Sequence, residues 1–284
     1  MAVKSKFPPI NIHPLLGILF IISLLTGTFT QLFTIFFIVC VHELGHVLMA
    51  LMFRWKIESV TLSFFGGVMQ TSEDMNRTWL EQFIVILAGP FQHVGLFCLF
   101  YLLENTGMIT ATFVAEAQYF NMLLFFFNLL PIFPLDGGKL VFSLFTLIMP
   151  YKRAFESMIV FSIIMTVVVL FVQVVFMPYH LTVLFIWLFL FHENFLDWKY
   201  RMYHFVQFLL QRKEGNFYHL KTDVMYVHEG ATLHHVFKRL FRYKKYEIQL
   251  DKEKRIKEEG LLQHFFLTGN RNEKIKRILD IISE

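Results

Sequence analysis

Three ionisable side chains fall within five positions of one apolar stretch. His42, Glu43 and His46 form the pattern H-E-x-x-H inside residues 38–49. Residues four apart lie on one face of an α-helix, about one turn apart, so both imidazoles can point at one metal ion. Glu43 then lies beside that ion and can take a proton from a water molecule that the metal activates. The pattern is typical of metal-dependent hydrolysis of peptide bonds.

The apolar surroundings of this pattern strengthen the prediction of a metal site. An ionisable side chain at the centre of a membrane costs about 2.5 kcal/mol or more, so such groups are rare and mostly functional. Three of them close together need compensation, and a bound cation is the simplest source of it. The alternative is a polar patch whose hydrogen bonds are satisfied by neighbouring helices.

A catalytic zinc site needs a third protein ligand as well as an open position. The extended zinc-peptidase pattern would place Gly and His at positions 49 and 52, and both are Met here. Asp136 is the strongest candidate, because it lies in residues 131–138, where two prolines break an apolar helix and two glycines allow a tight turn. A broken helix at membrane depth implies a lined cavity. The alternative role of Asp136 is a helix N-cap, and one residue can fill both roles. Other nearby acids lie in or beside a polar loop and need no special explanation: Glu58, Glu73, Asp74 and Glu81.

The composition predicts a membrane protein with a charged tail. The chain has 284 residues, of which 56% are hydrophobic and 17% charged, whereas soluble proteins carry about a quarter charged residues. The expected organisation is a transmembrane zinc protease domain at 1–197, an interfacial helix or linker at 198–215 and a small α+β cytoplasmic domain at 216–284. The net charge of +4 is modest and follows from topology, so we expect no nucleic-acid partner.

The fold class expected for the first part is an α-helical polytopic membrane protein with about six transmembrane helices. The apolar segments are residues 14–25, 32–53, 83–103, 113–133, 158–177 and 181–195. Six spans place every basic residue of the membrane half on one side: Lys4, Lys6, Arg54, Lys56, Arg77, Lys139, Lys152, Arg153, Lys199 and Arg201. Positively charged loops face the cytoplasm, so both termini are expected to be cytoplasmic.

Residues 57–71 alternate and are rich in β-branched side chains, which predicts a hairpin containing Gly66 and Gly67. A free strand edge there could hold a substrate in extended form by main-chain pairing. The alternative is an ordinary surface hairpin. His93, on the next apolar segment, is either a hydrogen-bonded bundle histidine or a partner of a metal ligand.

Three motifs together resemble the site-2 protease family of intramembrane zinc metalloproteases. They are His42-Glu43-x-x-His46, Ala88-Gly89-Pro90 and Asn128-x-x-Pro131-x-x-Pro134-Leu135-Asp136-Gly137-Gly138, within residues 32–139. The resemblance implies Zn²⁺ on His42, His46 and Asp136, with Glu43 as the catalytic acid/base. It implies a weaker role in substrate binding for Asn128, near the scissile peptide.

The six-span plan, the loop around Gly66 and Gly67 and the tail are most similar to a subgroup that acts in endospore formation. That similarity implies a membrane-associated pro-protein substrate, the sigma factor precursor pro-sigma-K, whose pro-sequence is removed during sporulation. It also implies a place in the mother-cell membrane around the forespore, and membrane-bound inhibitory partners.

The tail resembles a CBS domain in Asp223-Val224-Met225 and in residues 229–233, and departs from that pattern after Leu250. The resemblance implies homo-oligomers through paired tails, and binding of ATP or another adenine nucleotide. Residues 238–245 form a basic cluster, for which a solvated helix face is the default interpretation; the alternatives are a surface that faces membrane lipid, an acidic partner or a nucleotide.

The function expected from these features is intramembrane zinc endopeptidase. One alternative is a membrane metal transporter or sensor, which would need further acids or histidines along a path to the outer face. The outer halves of the segments are nearly free of acids, with Glu116 the main exception. The other alternative is a catalytically silent scaffold with a nucleotide-sensing tail.

Overall fold

The structure is a computed structural model, and it describes residues 9–12, 14–63, 66–71, 77–107, 109–176, 181–215, 220–228, 230–250 and 255–278. The chain folds as two compact units. The first comprises Met1–Asp74, Leu80–Leu130 and Leu135–Gly137, and the second comprises Met75–Trp79, Pro131–Pro134 and Gly138–Glu284.

Apolar helices dominate the first unit, and each coincides with one of the first four apolar segments. They are α1 (Pro14–Thr26), α2 (Phe29–Met52), α3 (Trp79–Asn105) and α4 (Ala111–Asn128). The hydroxyl of Thr110 accepts a hydrogen bond from the backbone N–H of Phe113 and so caps α4. Gly45 brings α2 against α3, because a Cβ at that position would lie 2.5 Å from the carbonyl oxygen of Ala88.

A three-stranded sheet accompanies these helices. Its strands are β1 (Ile10–Ile12), β2 (Ile57–Ser63) and β3 (Gly66–Thr71), in the order β1-β2-β3. β2 and β3 are antiparallel and pair Val60 with Met69, which confirms the predicted hairpin. β1 runs parallel to β2, and no sequence pattern predicted this strand. Ile57 and Met69 pack against Ala50, Trp55 and Val85, so the hairpin is fixed to α2 and α3 by apolar contacts.

The second unit contains the remaining helices. They are α5 (Asp136–Ile148, which begins in the first unit), α6 (Tyr151–Phe176), α7 (Leu181–Lys199) and α8 (Arg201–Glu214). Two buried polar side chains satisfy the backbone of Phe133 in the proline-rich break: its N–H donates to Ser162 on α6, and its carbonyl accepts from Asn194 on α7. Backbone groups freed at a helix break need such partners in an apolar environment.

Among the described residues, three helices are long and apolar enough to cross a membrane: Phe29–Met52, Trp79–Asn105 and Tyr151–Phe176. The other apolar segments also form helices, of which α1 is the shortest at 13 residues. The count of six spans therefore stays a prediction.

The tail combines strands and helices around one apolar core. Its elements are β4 (Thr222–Tyr226), α9 (Leu233–Phe237), β5 (Lys245–Gln249), β6 (Arg255–Lys257) and α10 (Glu258–Thr268). β4 and β5 are parallel, and β5 and β6 are antiparallel. β6 follows residues 251–254, inside a run of charges that the sequence analysis did not assign to a strand. The resemblance to a CBS domain and the boundary at residue 216 stay predictions.

The tail core extends into α8 and the start of α6. Phe208 stacks on Tyr151 with ring centroids 4.0 Å apart, and both belong to the cluster that contains Leu233 and Ile248. The backbone N–H of Tyr151 also donates to the carbonyl of Leu240, at 3.0 Å. Within the second unit, α8 is therefore part of the hydrophobic core of the tail.

A buried ion pair strengthens this attachment. The guanidinium of Arg212 on α8 contacts both carboxylate oxygens of Glu258 on α10, and it also donates to the carbonyls of Phe241 and Lys244. Glu258 accepts a further hydrogen bond from the N–H of Tyr246. Buried charges need this kind of complete pairing.

Candidate metal centre

Three buried side chains converge between α2 and the start of α5. The Nε2 atoms of His42 and His46 lie 3.2 Å apart. Oδ2 of Asp136 lies 3.0 Å from each of these nitrogens. The helical spacing places both imidazoles on one side of α2. The side chains expose 9% or less of their surface, so water contributes little to their solvation.

The donor set and its spacing fit zinc. Nitrogen and oxygen ligands at tetrahedral positions about 2.0–2.1 Å from zinc lie roughly 3.3 Å from one another. The three observed separations, 3.0, 3.0 and 3.2 Å, approach that value. Nδ1 of His46 lies 2.8 Å from the carbonyl oxygen of Val85, which can only accept. The proton of a neutral His46 is therefore on Nδ1, and Nε2 presents a lone pair to the centre.

Gly89 on α3 provides the room that the two imidazoles occupy. A Cβ at this position would overlap the ring of His46 and would lie 2.9 Å from Cε1 of His42. No side chain other than hydrogen fits there without moving a ligand. This steric requirement is a physical reason for the glycine of the Ala88-Gly89-Pro90 motif.

A second glycine lets α5 begin where it does. A Cβ at Gly137 would collide with the carbonyl oxygens of Leu129 and Leu130, just after the end of α4. The glycine therefore allows the first turn of α5 to approach the end of α4, with Asp136 at the first helical position. An acidic group in that turn is also stabilised by the positive end of the helix dipole.

His42 has partners of its own on two other helices. Its Nδ1 lies 3.1 Å from Nε2 of His93 on α3. Nδ1 of His93 in turn lies 2.8 Å from Oδ1 of Asn121 on α4. The sequence pattern indicated His93 but not Asn121. The available signal was an amide within an apolar helix, which needs a partner in such surroundings.

The other predicted site residues lie on three different elements: α2, α4 and β3. Glu43 is half-buried on α2 and lies three positions before His46, hence next to it on the helix surface. Asn128 is the last residue of α4 and makes no hydrogen bond to the converging side chains among the described residues. Gly66 and Gly67 begin β3, which pairs only with β2 in the described part of the chain.

In the described part of the chain, His42, His46 and Asp136 are the only three side chains of ligand type that converge in this way.

Two comparisons of the sequence with known proteins cover half of the chain or more. The family model Peptidase family M50 matches residues 30–107 and 102–175. Stage IV sporulation protein FB of Bacillus subtilis (strain 168) is 33% identical over 279 residues, which cover 95% of this chain and 96% of that protein.

Two further comparisons cover less of the chain. A protein of Synechocystis sp. that is named as a zinc metalloprotease is 33% identical over 109 residues, or 37% of this chain and 28% of that protein. The solved site-2 protease from Methanocaldococcus jannaschii superposes with a TM-score of 0.53 at 21% identity, covering 69% of this chain and 93% of that structure. The latter comparison shows a common fold.

Proposed function

The chain belongs to peptidase family M50, and we propose that it is an intramembrane zinc endopeptidase in which His42, His46 and Asp136 hold the metal. Membership of the family confirms the resemblance found in the motifs. The observation that carries the proposal is the convergence of two imidazole nitrogens and one carboxylate oxygen on buried positions of apolar helices. A site of this composition leaves one position open for chemistry.

Glu43 is the general base of the proposed reaction. A bound zinc ion would lower the pKa of a coordinated water and polarise the carbonyl of the scissile peptide. Glu43 accepts the proton of the attacking water and returns it to the leaving amine. Nε2 of His46 keeps its lone pair directed inward, because the carbonyl of Val85 accepts the proton on Nδ1.

The topology that goes with this function has six spans and two cytoplasmic termini. The three helices that are long and apolar enough to span support a membrane location. The one-sided distribution of basic residues supports the orientation. The tail, from residue 216, would then lie in the cytoplasm.

The substrate that we propose is a membrane-associated pro-protein, by similarity the sigma factor precursor pro-sigma-K, cleaved during sporulation. The support is the relative named for sporulation, which matches over nearly the whole chain. The edge of β3, beginning at Gly66 and Gly67, would hold the substrate in extended form, because a peptide bond inside a helix is shielded from attack. Asn128 would contact the substrate near the scissile bond.

The test is co-expression with membrane-tethered pro-sigma-K, with product size as the readout. We expect Glu43→Gln to keep its zinc and to lower cleavage about 10²- to 10⁴-fold, since it removes only the general base. We expect Asp136→Asn to lose both zinc and cleavage. Glu104→Gln, at an exposed position near the end of α3, is the matched control and should cleave normally.

Two outcomes would contradict the proposal. Normal cleavage by Glu43→Gln would exclude the mechanism. Zinc retained at full affinity by Asp136→Asn would exclude Asp136 as a ligand. A catalytically silent scaffold, the alternative drawn from the sequence, requires that the native chain cleaves nothing and that Glu43→Gln changes nothing. Nucleotide binding by the tail stays a prediction and forms no part of this mechanism.

A further inference from the structure

The side-chain amide of Asn121 makes two hydrogen bonds to one residue. Its Nδ2 donates to the backbone carbonyl of His93 at 2.9 Å, and its Oδ1 lies 2.8 Å from Nδ1 of the same residue. A carbonyl oxygen only accepts, so the amide nitrogen must face it. The orientation of the amide is thereby fixed, and Nδ1 of His93 must be the atom that donates to Oδ1.

The position of the proton on His93 determines the position of the proton on His42. With its proton on Nδ1, a neutral His93 has a lone pair on Nε2, which lies 3.1 Å from Nδ1 of His42. His42 must therefore donate from Nδ1, and its own Nε2 is left without a proton. That Nε2 is the atom that lies 3.0 Å from Asp136.

When the proton of His42 is on Nδ1, no proton on Nε2 competes with the metal for that nitrogen. Without a partner for Nδ1, the proton of His42 would be most stable on Nε2, where it would hydrogen-bond the carboxylate of Asp136. Metal binding would then have to displace that proton. Water offers no substitute for the partner, because His42, His93 and Asn121 expose only 4%, 3% and 3% of their surface.

The two ligand histidines thus donate the proton on Nδ1 to different kinds of acceptor. His46 donates to a main-chain carbonyl, that of Val85, which mutation cannot remove. His42 depends on two side chains from α3 and α4, which mutation can remove. On the basis of the proposed zinc site, we propose that Asn121 and His93 are positioning residues that hold His42 in its zinc-binding tautomer.

The test measures zinc affinity by competition with a chromophoric chelator, in the Glu43→Gln protein so that cleavage is irrelevant. We expect Asn121→Leu and His93→Leu to weaken zinc binding about 10- to 100-fold, the usual effect of losing a partner of a ligand histidine. His93→Gln should restore the affinity to within a few-fold of the parent, because its amide oxygen can accept from Nδ1 of His42. Cobalt spectra of the same proteins report the ligand geometry.

Two controls distinguish the proposed positioning role from a purely structural role. The melting temperature of each metal-free variant shows whether the fold is weakened. Thr34→Val, which removes a hydrogen bond within α2 at a buried site away from the ligands, should leave the affinity unchanged.

Unchanged affinity in Asn121→Leu would overturn the inference, as would equal losses in His93→Leu and His93→Gln. If the Glu43→Gln protein binds zinc but the native chain cleaves no pro-protein, only the proposed function is contradicted. If the Glu43→Gln protein binds no zinc, both the proposed function and this inference are contradicted.

Discussion

Nε2 of His46 lies 3.0 Å from Oδ2 of Asp136, although 90 positions separate the two residues in the chain. One atom belongs to the second half of a long apolar helix, and the other belongs to the first turn of a helix that follows a proline-rich break. The site therefore depends on small residues that allow these segments to approach. Such residues are the most direct targets for testing the geometry.

The first prediction concerns the space at Gly89. We expect Gly89→Ala to displace an imidazole and to lower zinc content and cleavage at least about 10-fold, because the added methyl overlaps both ligands. Gly95→Ala is the matched control on the same helix, since a Cβ there meets nothing within 4 Å. It should retain zinc and cleave normally. Equal behaviour of the two variants would show that the space at Gly89 is not needed.

The second prediction concerns the free edge of β3. Successive N–H groups of a strand point to opposite edges, and proline removes one of them. Gly67 and Val68 are neighbours in β3 and pair with Leu62 and Thr61. We expect one of Gly67→Pro and Val68→Pro to break the ladder and lower the melting temperature. The other should keep zinc and stability but lose cleavage, because it removes only a donor to the substrate. Normal cleavage by both would argue against substrate pairing at β3.

The third prediction concerns the ion pair between Arg212 and Glu258. Both side chains expose only 3% of their surface. Glu258→Gln leaves a buried guanidinium without its counter-charge, and we expect a loss of about 3–5 kcal/mol in the stability of the tail. Glu259→Gln is the adjacent control: its carboxylate is 53% exposed and pairs with Lys245 at the surface, so its removal should cost about 1 kcal/mol or less. Hydrogen exchange of the backbone amides of β5 and α10, measured over a range of denaturant concentrations, reports both losses. Similar losses in the two variants would contradict the assigned role of the buried pair.

The fourth prediction concerns Tyr246 in β5. Burial raises the pKa of its phenol to about 12, above the usual value of about 10 in an unfolded chain. Between these pH values the folded protein keeps the proton and the unfolded chain loses it. The contribution of Tyr246 to stability is therefore complete below pH 10 and is lost as the pH rises towards 12.

We expect Tyr246→Phe to show a shallower fall of melting temperature over this alkaline range. The exposed Tyr226 provides the control, and Tyr226→Phe should follow the parent curve. A parent-like fall in Tyr246→Phe would show that the phenol is not the titrating group.

Periodicity and spacing predicted much of this fold. The apolar segments became helices, and the alternation of residues 57–71 became a hairpin, because both patterns reflect which face of an element is buried. The spacing of His42 and His46 predicted that they share a helix face. The prolines and glycines around Asp136 indicated a break where an acid can enter the membrane.

Other features depend on pairings that no local pattern records. β1 has three residues, and its partner β2 lies more than forty positions away, so its extended form follows from tertiary contact. β6 carries Arg255 and Lys257 on either side of a buried Ile256, a pattern too short to distinguish from a charged loop. Asn121 showed only that an amide in an apolar helix needs a partner, and the choice of His93 depends on how α3 and α4 pack.

The separation of the ligands along the chain also determines when each of them is synthesised. A ribosome adds about 5–20 residues per second, so roughly 5–18 s pass between the synthesis of His46 and that of Asp136. During that interval α2 carries two of the three metal ligands without the third. The nascent chain therefore acquires a complete hydrolytic centre only after α3 and α4 have been made, and a truncated translation product that ends before residue 136 cannot be a protease.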